Sequence, residues 1–179
     1  MGLNWDNIIL VGMPGSGKST IGVHLAQELG YDFVDGDRVI EDYHGKTLKE
    51  IIAEQGNEGF FRVESDALCS INTHHTVIAP GGSVCYEPEA IEHLRSIGTV
   101  VFLDVAYSTL KHRLGDLVAR GVVLKPGMTL KDLYDERVPL YRAGSDLVLE
   151  EGKRSVGQTV ELLKERILQA KQGEQDGTD

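Results

Sequence analysis

Residues Gly12-Met13-Pro14-Gly15-Ser16-Gly17-Lys18-Ser19 spell a complete Walker A phosphate loop, and the flanking residues give it the setting it needs. Upstream, Asn7-Ile8-Ile9-Leu10-Val11 reads as a short buried strand. Downstream, Ile21, Leu25, Ala26 and Leu29 recur at helical spacing between Thr20 and Leu29. Glycines at these offsets let successive backbone N–H groups converge on phosphate oxygens, and the helix that follows turns its positive end toward them. Gly15, Ser16, Gly17, Lys18, Ser19 and Thr20 are thus candidate nucleotide-binding residues. Within the motif, the lysine is expected to pair with the β and γ phosphates of a nucleoside triphosphate, and the Ser19 hydroxyl to bind Mg²⁺.

Further β-rich runs follow at Phe33 to Asp35, Thr76 to Ala79, Thr99 to Asp104 and Asp146 to Leu149, alternating with helical stretches. That rhythm predicts a three-layer α/β domain, a parallel five-stranded sheet with helices on both faces. One domain is expected over residues 1–170, with a polar, flexible tail at 171–179. An insertion at about 37–73 is too long for one crossover helix. In it, Thr47 and Glu50 form a capping-box signature, and a second helix is predicted from Asn57 or Glu58. The stretch at about 115–128, punctuated by Gly115, Gly121, Pro126 and Gly127, reads as a mobile loop. Thr129 is placed to cap a helix to about Ala143, and a last amphipathic helix starts near Ser155.

A formal net charge of −10 argues against a protein that tracks nucleic acid or an anionic membrane. An anionic ligand must then meet a local cluster of cations. The two cysteines, Cys69 and Cys85, have no metal-site or thioredoxin-type spacing, so a reduced, cytoplasmic setting is expected. Neither a signal peptide nor a membrane-spanning run is read in the sequence. His74 and His75 are adjacent and read as solvated loop residues, and Trp5 as packing. The Asn-Lys-x-Asp element of guanine-specific GTPases and the Leu-Ser-Gly-Gly signature of ABC-type ATPases are both missing. What is left is the layout of a small phosphotransferase with a lid that keeps water from competing with the acceptor.

Several separated motifs, in order, resemble the shikimate kinase family. They are Asp35-Gly36-Asp37 after the second strand, Phe61-Arg62-Val63-Glu64, Pro80-Gly81-Gly82-Ser83-Val84 after the third strand, the pair Arg113 and Arg120, and Glu136-Arg137-Val138-Pro139-Leu140-Tyr141. The resemblance implies an ATP- and Mg²⁺-dependent kinase of P-loop kinase fold that phosphorylates the 3-hydroxyl of shikimate. It also implies site residues. Arg62 and Arg137 would take the acceptor carboxylate, a task suited to planar guanidinium groups. Asp37 would orient or deprotonate the attacking hydroxyl, Asp35 would hold Mg²⁺ through water, and Gly81 and Gly82 would bring backbone N–H groups to the substrate. Lys18, Asp37 and Arg120 are the candidate catalytic residues, Arg120 acting as a finger supplied by the lid. Arg113 would lie along the adenine or phosphates, and Arg154 falls where the adenine loop is expected. In isolation, Asp-Gly-Asp reads equally as a turn or a helix cap.

The pattern is broken twice. Pro80 stands where the first glycine of a triple is usual, removing one N–H. Gly121-Val122-Val123 follows Arg120 where Pro-Leu-Leu is usual, which should make lid closure costlier by about 1 kcal/mol. Two other readings stay open at this level: a kinase of another small polyol acid such as gluconate, and a kinase-like module that binds without turnover. The small size and acidic surface suit a monomer.

Overall fold

The computed structural model describes residues 2–115 and 125–176 of the 179-residue chain. Five short strands, β1 (Asn7–Val11), β2 (Asp32–Asp35), β3 (Thr76–Ala79), β4 (Thr99–Asp104) and β5 (Leu147–Glu150), form one parallel sheet in the order β2-β3-β1-β4-β5. Each predicted run is present, shifted by at most one residue. All five residues of β1 are buried, as they must be for a central strand covered on both faces.

Side-chain alternation along β1 sorts the helices into two layers. Ile8 and Leu10 point to one face with Val77, Val101, Leu103 and Leu149, where α1 (Lys18–Leu29) contributes Ile21 and Leu25 and α7 (Val156–Asp176) contributes Val160, Leu163 and Ile167. Ile9 and Val11 point to the other with Ile78, Val100 and Phe102. That face is covered by α3 (Leu48–Cys69), α4 (Pro88–Ile97), α5 (Tyr107–Leu114) and α6 (Leu130–Gly144), through Leu68, Leu94, Leu110, Leu133 and Tyr141.

The insertion has a small core of its own, built from Ile40 of α2 (Gly36–His44) and from Ile51, Phe60, Val63 and Ala67 of α3. Thr47 caps α3 with the full reciprocal bond to Glu50. Gly56 then breaks the helix with a non-helical backbone (φ 70°, ψ −176°), so a new segment begins at Asn57 where one was predicted. Thr129 likewise caps α6 in a box with Asp132.

One expectation needs correction. Lys171 to Asp176 belong to α7 rather than to a frayed tail, and Lys171 Nζ donates to the Tyr31 hydroxyl at 2.5 Å. Cys85 sits in a 3₁₀ turn, Gly82–Tyr86. The loop expected at 115–128, with Arg120 and Gly121 in it, lies mostly outside the described residues.

Candidate active site

In an open parallel sheet, ligands collect beyond the carboxyl ends of the strands where the strand order reverses. Here the order reverses at β1, flanked by β3 and β4. The phosphate loop leaves the end of β1, Asp35 ends β2, and Pro80-Gly81-Gly82 follows β3.

The nucleotide half is local. Gly15 and Gly17 take left-handed backbone conformations (φ +78° and +88°), and Gly17 is the N-cap of α1. Lys18 folds back onto the loop, its Nζ donating to the carbonyls of Gly12 at 2.8 Å and Met13 at 3.0 Å. Burial pushes its ammonium down to about 8, against the opposing attraction of Asp37. Ser16 Oγ is buried with no hydrogen-bond partner among the described residues, a polar group left over inside the cradle. Ser19 and Thr20 are exposed on the first turn of α1. At the rim, Arg113 donates to the Gly15 carbonyl at 3.2 Å and to Glu151 at 2.7 Å, beside the phosphate loop. Arg154 donates to the Glu150 carbonyl, while its Nε is buried without a partner among the described residues.

The acceptor half is assembled from distant segments around a cavity of about 200 Å³, whose walls include Lys18, Ser19, Asp35, Asp37, Gly81, Gly82 and Arg137. Asp35 is indeed a helix cap: its Oδ1 accepts from the Asp37 N–H at 3.0 Å and starts α2. The cap fixes the first turn of α2, and Asp37 in that turn lines the cavity. Burial raises the Asp37 carboxyl above the usual carboxylate range, Asp35 adds to this, and Lys18 opposes it.

The glycine pair lets these charges close on the backbone. A Cβ on Gly81 would lie 2.8 Å from Asp37 Oδ1, and one on Gly82 would lie 2.9 Å from Arg137 Nη1. Pro80 is itself packed: a Cβ on Gly36 would meet Pro80 Cα at 2.6 Å. The proline therefore wedges the β3 exit against the first turn of α2. Arg137 is 2 % exposed, and its Nε donates to the Tyr86 hydroxyl at 3.3 Å.

Arg62 departs from expectation, because it is exposed on α3 and takes no part in the cavity wall. Its motif partner Glu64 is instead the buried member, with Ser83 Oγ 2.8 Å from each carboxyl oxygen and burial pushing its pKa up to about 8. Arg120 lies outside the described residues. Tyr86, Ser83 and Tyr141, whose hydroxyl donates to the Gly82 carbonyl at 2.6 Å, were not foreseen as site residues. Ser83 and Tyr141 stand inside motifs quoted above, whereas Tyr86 lies in none.

A phosphate cradle at a switch point, with a lysine inside it and an aspartate and a buried arginine facing the same cavity, defines a P-loop phosphotransferase. Residues 14–168 match the family model of shikimate kinase. A shikimate kinase of Synechococcus sp. (strain CC9902) is 43% identical over 143 residues, 78% of this chain and 74% of that one. The structure of shikimate kinase from Acinetobacter baumannii in complex with shikimate superposes with a TM-score of 0.81 at 30% identity, covering 92% of this chain and 94% of that one. A gluconokinase from Sinorhizobium meliloti 1021 reaches 0.58 at 17% identity over 97% and 98% of the two chains, a likeness of fold alone. The chain belongs to the shikimate kinase family.

Proposed function

We propose that this protein transfers the γ-phosphoryl group of ATP to the 3-hydroxyl of shikimate, giving ADP and shikimate 3-phosphate. The observation that carries the reading is the placement of Asp37 against Gly81 and of Arg137 against Gly82, in the cavity that Lys18 also lines. Donor and acceptor sites thus share one wall. Arg137 offers a desolvated guanidinium to the acceptor carboxylate. Asp37 accepts from the ring hydroxyls and holds the attacking one in line. The hydroxyl oxygen forms the new bond to the γ-phosphorus as the bond to the β–γ bridging oxygen breaks, and the hydroxyl proton passes to Asp37. Its raised pKa suits that transfer. Because phosphoryl transfer runs through a loose transition state, alignment contributes more than base strength.

Lys18 must exchange the Gly12 and Met13 carbonyls for β and γ phosphate oxygens. Arg113, which donates to the Gly15 carbonyl, is assigned to flank the nucleotide, and Arg154 is assigned to the adenine loop on the sequence resemblance. Arg120 is assigned, on the sequence resemblance, to the charge developing on the transferred group. Arg62 is assigned to the acceptor carboxylate on the same ground, with its side chain turning in from the surface.

The donor set fits Mg²⁺: the Ser19 hydroxyl and the Asp35 carboxylate line the same cavity, an all-oxygen pair that leaves most positions to water and phosphate. When bound, the ion neutralises phosphate charge. We further assign the chain to the cytoplasm as a monomer; its two cysteines are free thiols, and sedimentation checks the second assignment. No helix among the described residues is long and apolar enough to cross a membrane.

The test is direct. Purified protein with ATP and Mg²⁺ should form ADP in proportion to added shikimate and little with gluconate. ADP release that ignores shikimate would sink the proposal.

A further inference from the structure

The turn that follows the glycine pair ends on Tyr86, and three features of the structure meet there. Its ring contacts Phe61, at 5.3 Å between centroids, and the Arg137 guanidinium, whose Cζ is 5.1 Å from the ring centre. Its hydroxyl is 2.5 Å from Glu136 Oε2. That same hydroxyl oxygen receives Arg137 Nε–H at 3.3 Å.

The direction of each bond follows from charge. The Tyr86 hydroxyl, opposed by burial and aided by Lys125 at 3.2 Å, holds the Glu136 carboxyl below its ordinary range, so this group is an ionised acceptor. An ionised carboxylate has no proton to give, so Tyr86 donates and its lone pairs face Arg137. Burial pushes the Tyr86 phenol up to about 12, so it keeps the proton it donates. Glu136 and Arg137 are consecutive on α6 and project in different directions. Tyr86 bridges the angle between them.

We infer that Tyr86 is a positioning residue for the acceptor: through the chain from Glu136 to Tyr86 to Arg137 it holds the guanidinium against Gly82 before shikimate arrives. This rests on the reading of Arg137 as the carboxylate ligand. A long arginine side chain otherwise samples many rotamers, and ordering it in advance strengthens binding without adding a contact to the ligand.

The experiment compares Tyr86→Phe, Glu136→Gln, the double variant and Arg137→Ala. Each is assayed for KM of shikimate and of ATP, for kcat, and for shikimate affinity by calorimetry. Tyr86→Phe keeps the ring contacts and removes only the hydroxyl. It should raise the KM and Kd of shikimate about three- to tenfold, with KM for ATP and kcat within about twofold. Glu136→Gln should shift the same constants in the same direction, and the double variant should add little, because the links act in series. Normal shikimate binding in Tyr86→Phe, beside a large loss in Arg137→Ala, overturns the inference and leaves Arg137 in its role. Unchanged binding in Arg137→Ala overturns the Arg137 reading itself and the inference with it. Equal shifts for both substrates, or additive losses in the double variant, overturn the series chain.

Discussion

The two halves of the site are built on different length scales. The phosphate cradle of the nucleotide half occupies one continuous stretch from Gly12 to Thr20, shaped by glycine backbone conformations and the first turn of α1, with Arg113 and Arg154 only at its rim. The acceptor half gathers Asp37 from α2, Glu64 from α3, Gly81 and Gly82 after β3, and Arg137 from α6. Local geometry can make a phosphate cradle, whereas a pocket for a small acid needs cations and acceptors brought from distant elements and then desolvated together. Substitutions should therefore separate cleanly by substrate.

The largest effect tests the nucleotide half. Lys18→Ala should lower kcat about 10²–10³-fold while calorimetric shikimate affinity moves by less than about threefold. A large loss of shikimate affinity would show that the halves are not separable. Next, Gly82→Ala places a Cβ 2.9 Å from Arg137 Nη1 and 3.2 Å from the Tyr141 hydroxyl. Together with Arg137→Ala, it should raise KM for shikimate about 10- to 100-fold, the loss of one or two charge-assisted bonds, and leave KM for ATP unchanged in steady-state assays.

A smaller effect concerns proton linkage. Glu64 holds its proton up to about pH 8 in the folded protein, against 4.5 ordinarily. Between those values the native state binds a proton that the unfolded chain has released, so its contribution to stability falls as pH rises through that window. Thermal scans should show wild type losing more Tm between pH 6 and pH 8 than Glu64→Gln. Lys18 acts with the opposite sign at higher pH, since its folded value near 8 lies below 10.5 and stability gained from it rises from pH 8 upward. The smallest effect is structural: Thr129→Ala removes the α6 cap and should cost about 1 kcal/mol in denaturant melts. Because α6 carries Arg137, it should also raise KM for shikimate slightly, and not KM for ATP.

What was legible in the sequence was local. The strands announced themselves as short β-rich runs, and the caps at Thr47 and Thr129 as side-chain oxygens three residues before an acid. The second helical segment was expected from Asn57 or Glu58, and the structure puts the break at Gly56, where a left-handed φ is open to glycine. Three helices, α2, α4 and α5, passed unmarked because each spans only ten residues or fewer. The end of α7 was misread as a tail because its sequence is polar, whereas Lys171 is held by Tyr31 from the far end of α1. At the site, Asp35 was read as a metal ligand or a cap, and it can be both because its carboxyl has two oxygens.

From the residues alone came the phosphate loop and the parallel α/β class, and the family motifs implied that Asp37, Arg62 and Arg137 serve the acceptor. These follow from periodicity, backbone chemistry and motif order, all of which are written along the chain. Tertiary structure alone decided that Arg62 faces outward while Glu64 is buried, that Pro80 is wedged against Gly36, and that Tyr86 stands between Glu136 and Arg137. Burial and charge balance are sums over neighbours that meet only when the sheet and its helices close. No single segment of the chain contains them.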